Sequence, residues 1–408
     1  MLIPQIDIRQ FETSGTTQQY MASVEGRHFE VNGAVARLIA VMQESETLAE
    51  VSQKYRGADE RQYSETELEQ IVERCITPIL IASNTPVKHP FFFKLELLSQ
   101  SMVEKISNVF KLVFNKYSIT ALLLCSLALE IYFFIDSTLL VSFKEMNIYV
   151  IFGVILFMLG SSFIHELGHA SACRHFKIKH GGVGFGLYLT FPVFYTDVSE
   201  TWKLKRKERI VVNMAGVYFQ LILLIPLFII YFYTQNYVIK WMILTIDFSL
   251  LFTLNPFFKF DGYWIVSDLL GVPNLRKRSS ELVGYFFKNL FGQKPKVTPY
   301  LVNMKKKEKI AMIVYTTIVN LFFAFYFTFL LPLFLYRFFT TFPDLIEQLI
   351  YRLSSGQSVG FSLIQSLLGQ LLFFALICYL LVRVLKPVFL ALIMNHKSKP
   401  EYNETEQL

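Results

Sequence analysis

The chain has 408 residues, of which 53% are hydrophobic and only 17% charged, and Phe alone occurs 41 times. With a mean hydropathy of +0.42, this composition excludes an ordinary soluble globule and fits a polytopic membrane protein. The net charge of +7 lies mostly between apolar runs, so it speaks for membrane orientation rather than for a nucleic-acid partner.

Residues 1–90 read as a small soluble unit with mixed acids and bases. Tyr20 to Val31 alternates like a hairpin, with Glu25-Gly26 at its turn. Asn32 is placed to cap a helix from Gly33 to about Gln43, whose Val35, Leu38, Ile39 and Met42 share one face. A short helix is expected near Leu48 to Tyr55. Another follows from about Glu65 to Ile76, opened by a capping box at Ser64 and Glu67 and stopped at Pro78. Ile79 to Ile81 is expected to close the unit as a strand. Hairpin, three helices and strand give an α/β, winged-helix-like layout. The opening residues MLIPQIDIRQ lack the apolar core of a cleavable signal peptide.

Residues 91–117 mix aromatics with lysines, as in an amphipathic linker on a membrane surface. A membrane domain is expected over 118–390, with six spans near 118–136, 148–170, 211–233, 240–263, 310–337 and 362–386, and a cytosolic tail over 391–408. Lys and Arg concentrate in 171–210 and 264–309 and are almost absent from the alternate loops. The positive-inside rule then puts both termini in the cytoplasm. Four scattered cysteines (Cys75, Cys125, Cys173 and Cys378) form no CxxC pair, so neither a disulfide framework nor a thiolate metal site is expected.

The second span ends in His165-Glu166-Leu167-Gly168-His169. Two histidines four apart project from one face of a helix and make a two-nitrogen claw for Zn²⁺, with Glu166 beside it as general base. Ionisable side chains in a lipid-buried helix are costly and mark a functional site. A catalytic zinc takes three protein ligands and leaves one position open. Counted along an inward-running fourth span, Asp261 falls at the depth of His165, roughly 25 to 30 Å along each helix at 1.5 Å per residue. It is therefore the expected third ligand. Asp197 and Glu200 are rivals in the basic loop, and Asp247 lies too far outward. Pro256 and Gly262 should break the fourth span, freeing backbone near the metal. Asn255 is a candidate donor to an oxyanion. Gly182, Gly184 and Gly186 alternate within 181–196, which suits an extended segment able to hold a substrate by main-chain pairing, or else a re-entrant spacer. Glu130 and Asp136 lie in or near the first span without an evident chemical role.

The HELGH pentapeptide together with Asn255-Pro256-Phe257-Phe258-Lys259-Phe260-Asp261-Gly262 resembles the site-2 protease family of intramembrane zinc metalloproteases. Phe191 to Ser199, Asn213-Met214-Ala215-Gly216 and Ser267 to Arg276 are similar to its bacterial peptide zinc metalloprotease branch in particular. The resemblance implies that His165, His169 and Asp261 bind zinc, that Glu166 is the catalytic acid/base, and that the protein resides in a bacterial cell membrane. Asn255 and Pro256 are adjacent here, whereas the best-known members space them further apart. The N-terminal unit resembles PqqD-like peptide-recognition domains over Phe29 to Ile39, Thr47 to Val51 and Glu69 to Ile79. That resemblance implies that a leader peptide docks there by strand addition.

The expected function is peptide-bond hydrolysis in the maturation or export of a ribosomally made peptide, with a peptide exporter as candidate partner. The alternatives are cleavage of a membrane-anchored regulator or signal-peptide remnant, and a non-catalytic peptide-export or immunity factor.

Overall fold

A computed structural model describes residues 4–55, 61–85, 91–136, 147–188, 191–292 and 300–395. Glu25 and Gly26 both have positive φ, 50° and 75°, the backbone that a tight two-residue hairpin requires. Their turn joins β2 (Gln19–Val24) to β3 (Arg27–Asn32), and β1 (Asp7–Phe11) adds to β2, giving an antiparallel sheet of order β1-β2-β3. The sequence pattern missed β1, whose polar edge residues carry no clear alternation. Asn32 caps α1 (Gly33–Gln43) by accepting from the Val35 N–H at 2.9 Å. α2 covers Leu48–Lys54. Ser64 and Glu67 form the expected reciprocal capping box of α3 (Glu65–Cys75). Leu38, Ile39, Leu68 and Ile76 are fully buried at the centre of this unit's core.

The expected strand at Ile79 to Ile81 is instead part of helix α4 (Thr77–Asn84). Pro78 sits in its first turn, where a missing N–H costs nothing, so the proline that ends α3 also starts α4. A three-residue apolar run could not distinguish strand from helix. The stretch expected as a plain linker also has more structure. Phe91–Leu98 forms β4, followed by α5 (Gln100–Phe110). β4 pairs antiparallel with β5 (Val183–Tyr188), which pairs with β6 (Phe191–Thr196), in the order β4-β5-β6. The glycine-alternating segment is thus extended. A Cβ on Gly184 would meet the ring of its cross-strand partner Tyr195 at 2.4 Å, so this glycine makes room for that ring.

Five helical runs among the described residues are long and apolar enough to cross a membrane: α6 (Lys116–Asp136), α7 (Ile148–His175), α8 (Arg206–Thr234), the continuous run Lys306–Ser354, and Ser362–Tyr379 within α14 (Phe361–Asn395). The run Lys306–Ser354 joins α12 (Lys306–Phe325) to α13 (Leu331–Ser354) through a π-helical turn, so helix continues well into the expected outer loop at 338–361. The expected single span at 240–263 is two helices. α9 (Tyr237–Thr253) has only 17 residues, and α10 (Asp261–Leu270) begins after a run of turns. α11 (Leu275–Leu290) follows.

The chain forms two compact units, Met1–Ile313 and Val314–Leu408. In the second, α13 and α14 pack through Phe338 stacked on Phe374 at 4.3 Å and Phe334 edge-on to Phe373 at 4.3 Å. In the first, α7 and α8 make the principal helix pair. A Cβ on Gly168 of α7 would lie 2.4 Å from the Ala215 carbonyl oxygen of α8, so the helices cross with their backbones close together. Replacing Gly168 by Ala should cost about 1–3 kcal/mol by forcing this crossing apart. A thermal unfolding midpoint in detergent that does not fall would contradict so tight an approach.

Candidate metal centre

His165 and His169 face the same side of α7 near its C-terminal end, with ring centroids 4.8 Å apart. The Nδ1 of His169 lies 2.7 Å from the Val212 carbonyl oxygen. A carbonyl can only accept, so this Nδ1 carries the proton and Nε2 carries a lone pair. The Nδ1 of His165 lies 3.1 Å from Gln220 Oε1, and the Gln220 amide is held in that orientation by donating through Nε2 to Ser161 Oγ at 3.1 Å. With Gln220 Oε1 accepting from Nδ1, a neutral His165 presents a bare Nε2. The two Nε2 atoms are 3.1 Å apart.

Asp261 completes the cluster. Its Oδ2 is 2.9 Å from His165 Nε2 and 3.2 Å from His169 Nε2. Asp261 thus meets the histidines of α7, although the span along which its depth was counted is broken between Thr253 and Asp261. Asp261 is the first residue of α10, where the helix dipole favours a carboxylate. The turn before it is fixed by packing. Asn255 Oδ1 accepts from the Phe257 N–H at 2.8 Å, and Arg276 donates to the Phe257 carbonyl at 3.0 Å. A Cβ on Gly262 would fall 2.1 Å from the Leu254 carbonyl oxygen, so only glycine allows the chain to fold back this closely.

Glu166 is the other acid here. Single ligand-type atoms of His165, Glu166 and His169 all lie within 4.8 Å of one another. Asp261 is nearer to both imidazoles, at hydrogen-bond distance, and it is the carboxylate that we group with them as a donor.

The rival acids lie elsewhere. Asp197 Oδ1 accepts from the Ser199 N–H at 3.0 Å and from its hydroxyl at 2.6 Å, which makes it a local turn former. Glu200 pairs with Lys203 at 2.6 Å and lies 3.9 Å from His28 of the N-terminal sheet. Burial of His28 lowers its pKa, against the opposing pull of Glu200. Asp247 of α9 lies near Glu130 of α6, and neither of its carboxylate oxygens has a hydrogen-bond partner among the described residues. Cys173, on α7 itself, is buried in apolar packing.

These atoms fit a zinc ion. Two imidazole nitrogens and one carboxylate oxygen bound at 2.0–2.1 Å in tetrahedral geometry would stand about 3.3 Å apart. The three separations in this structure are 2.9, 3.1 and 3.2 Å. Three lone-pair atoms at such distances repel one another unless a proton or a metal cation lies between them.

Several supports were not evident from the sequence motifs. Gln220 is 1% exposed, and a lone amide in the otherwise apolar stretch 214–233 of α8 was the available signal. Gly216 stands against the imidazole itself, because a Cβ there would lie 2.3 Å from His165 Nε2. Asp268 lies within the longer similar stretch Ser267 to Arg276, where no local motif sets it apart. It is buried and accepts from Arg209 Nε at 2.6 Å and Asn213 Nδ2 at 2.9 Å. Burial pushes the Asp268 carboxyl up from its usual range, while Arg209 and Asn213 pull it back down.

The chain is similar to "Putative peptide zinc metalloprotease protein YydH" of Bacillus subtilis, with 29% identity over 121 residues. The match covers 29% of this chain and 48% of that protein, so it spans about half the length of the relative. No protein-family profile matches the chain. No solved structure is significantly similar to it.

Gln220→Leu keeps the volume but removes the acceptor that orients His165. We expect it to weaken zinc binding by about 10–100-fold, measured by competition with a chromogenic chelator. Unchanged affinity would show that the Gln220 contact does not set the imidazole.

Proposed function

We propose that the protein is a membrane-embedded zinc metalloendopeptidase of site-2 protease type, acting on a peptide delivered by its N-terminal domain. The observation that carries this is the meeting of three lone-pair atoms, from His165, His169 and Asp261, at 2.9–3.2 Å. Glu166 stands beside them, and a tetrahedral zinc held by three protein donors would keep its fourth position for water. A structural zinc would be closed by four protein ligands. The similarity to a protein named as a peptide zinc metalloprotease supports the same chemistry.

In this proposal His165, His169 and Asp261 hold the metal. When bound, zinc supplies Lewis acidity, which makes water acidic near neutral pH and polarises a carbonyl. Glu166 takes a proton from the attacking water and returns it to the leaving amine. Asn255 has its Oδ1 engaged by the Phe257 N–H, and its NH₂ group is the donor we assign to the developing oxyanion. The scissile segment binds extended. β6 is an edge strand that, among the described residues, pairs only with β5. At its end the Thr196 hydroxyl reaches the Glu166 carbonyl at 3.5 Å. Main-chain pairing with this edge would lay a peptide across the acid/base.

The PqqD-like resemblance of the N-terminal unit supports docking of a leader peptide on its hairpin edge, which would raise the effective concentration of the bond to be cut. The substrate class we propose is a short ribosomally made peptide undergoing maturation or export. The basic loops, and with them both termini, face the cytoplasm of a bacterial cell.

Glu166→Gln keeps the ligand set and removes the base, so cleavage should fall by about 10²–10⁴-fold with zinc retained. Mass spectrometry of the peptide pool should then show a longer precursor accumulating as a shorter peptide disappears. Identical pools from producing cells would favour a binding or export role.

A further inference from the structure

Helix α10 has ten residues, with Asp261 the first and Leu270 the last, about 14 Å apart at 1.5 Å per residue. Its far end is held from outside the helix. Asp268 takes the Arg209 and Asn213 bonds from α8, and Arg206 donates to the Asp268 and Leu269 carbonyls. The left-handed cap residue Gly271 accepts from the Ser14 N–H at 2.8 Å. Ser14 belongs to the N-terminal unit, just after β1. Phe11 of β1 completes the clamp, with the Arg209 guanidinium 4.8 Å from its ring centroid. Arg206 N–H also donates to Glu12 Oε2 at 3.2 Å, and the Ser14 carbonyl accepts from the Lys305 N–H at 3.1 Å.

A buried ion pair such as Arg209–Asp268 adds little net stability compared with apolar packing, because both charges are desolvated. What it does supply is fixed geometry. At the other end of α10, Gly262 is pressed against the Leu254 backbone, so the helix has no slack there. A displacement of the clamp would be passed along a stiff rod to the carboxylate.

We infer that the N-terminal domain positions Asp261 through α10, with Phe11, Arg209 and Asp268 as positioning residues. Because such coupling is reciprocal, a ligand that shifts Phe11 to Ser14 changes metal affinity, and metal in turn changes affinity for that ligand. The inference rests on Asp261 being a metal ligand.

The test is a double-mutant cycle on the full chain in detergent, read as zinc affinity by chelator competition. Phe11→Leu should weaken zinc roughly three- to thirtyfold, and Asp268→Asn about tenfold or more. Phe11→Leu keeps apolar volume, and so covers the case in which Asp268→Asn, by leaving Arg209 unpaired, fails to fold. Neither change should weaken zinc further once Asp261→Asn is present. Wild-type affinity in folded Phe11→Leu, or losses that simply add to that of Asp261→Asn, would overturn the inference and leave the metal site standing. Wild-type affinity in Asp261→Asn itself would overturn the metal assignment of Asp261, and this inference with it.

Discussion

Two imidazole nitrogens and a carboxylate oxygen, 2.9 to 3.2 Å apart, repel one another as lone-pair atoms unless a proton or a metal cation lies among them. The rest of the first compact unit is arranged to bring them together in spite of that repulsion. The Val212 carbonyl and the Gln220 amide fix which ring nitrogen carries the proton. These outer hydrogen bonds are as much a part of the site as the donor atoms, because an imidazole of the other tautomer would present an N–H to the metal.

Small residues set the approach distances. Gly168 lets α7 meet the α8 backbone, Gly216 makes space for the His165 ring, and Gly262 lets the chain double back on Leu254. In each case the obstacle to a Cβ is a nearby atom and not a strained φ. The three glycines therefore serve packing, and the constraint they express is the diameter of the cluster. The break before α10 serves the same end, since a continuous helix through Asn255 to Asp261 could not place a carboxylate in its own first turn.

Much of this was legible in the sequence, for identifiable reasons. His165 and His169 follow from a spacing tied to helical geometry. Asp261 was legible by counting residues along two spans of expected direction, although the second of them is broken before it. The caps at Asn32 and Ser64 are local chemistry and came out as expected. Other features depend on long-range pairing that no local pattern encodes. Strand β4 forms only because β5 offers it an edge, and its aromatic and lysine content resembled a surface linker. The run Ile79 to Ile81 was too short to decide between strand and helix. Gln220, Gly216 and the Arg209–Asp268 pair sit in apolar or basic stretches, where nothing but the tertiary contact distinguishes them.

X-ray absorption at the zinc edge of the purified full chain tests the central claim most directly. The account predicts one tightly held zinc per chain. Its shell should contain only nitrogen and oxygen at about 2.0–2.1 Å, two of the donors showing imidazole scattering. A sulfur donor at about 2.3 Å, a single imidazole, or no stoichiometric zinc would contradict it.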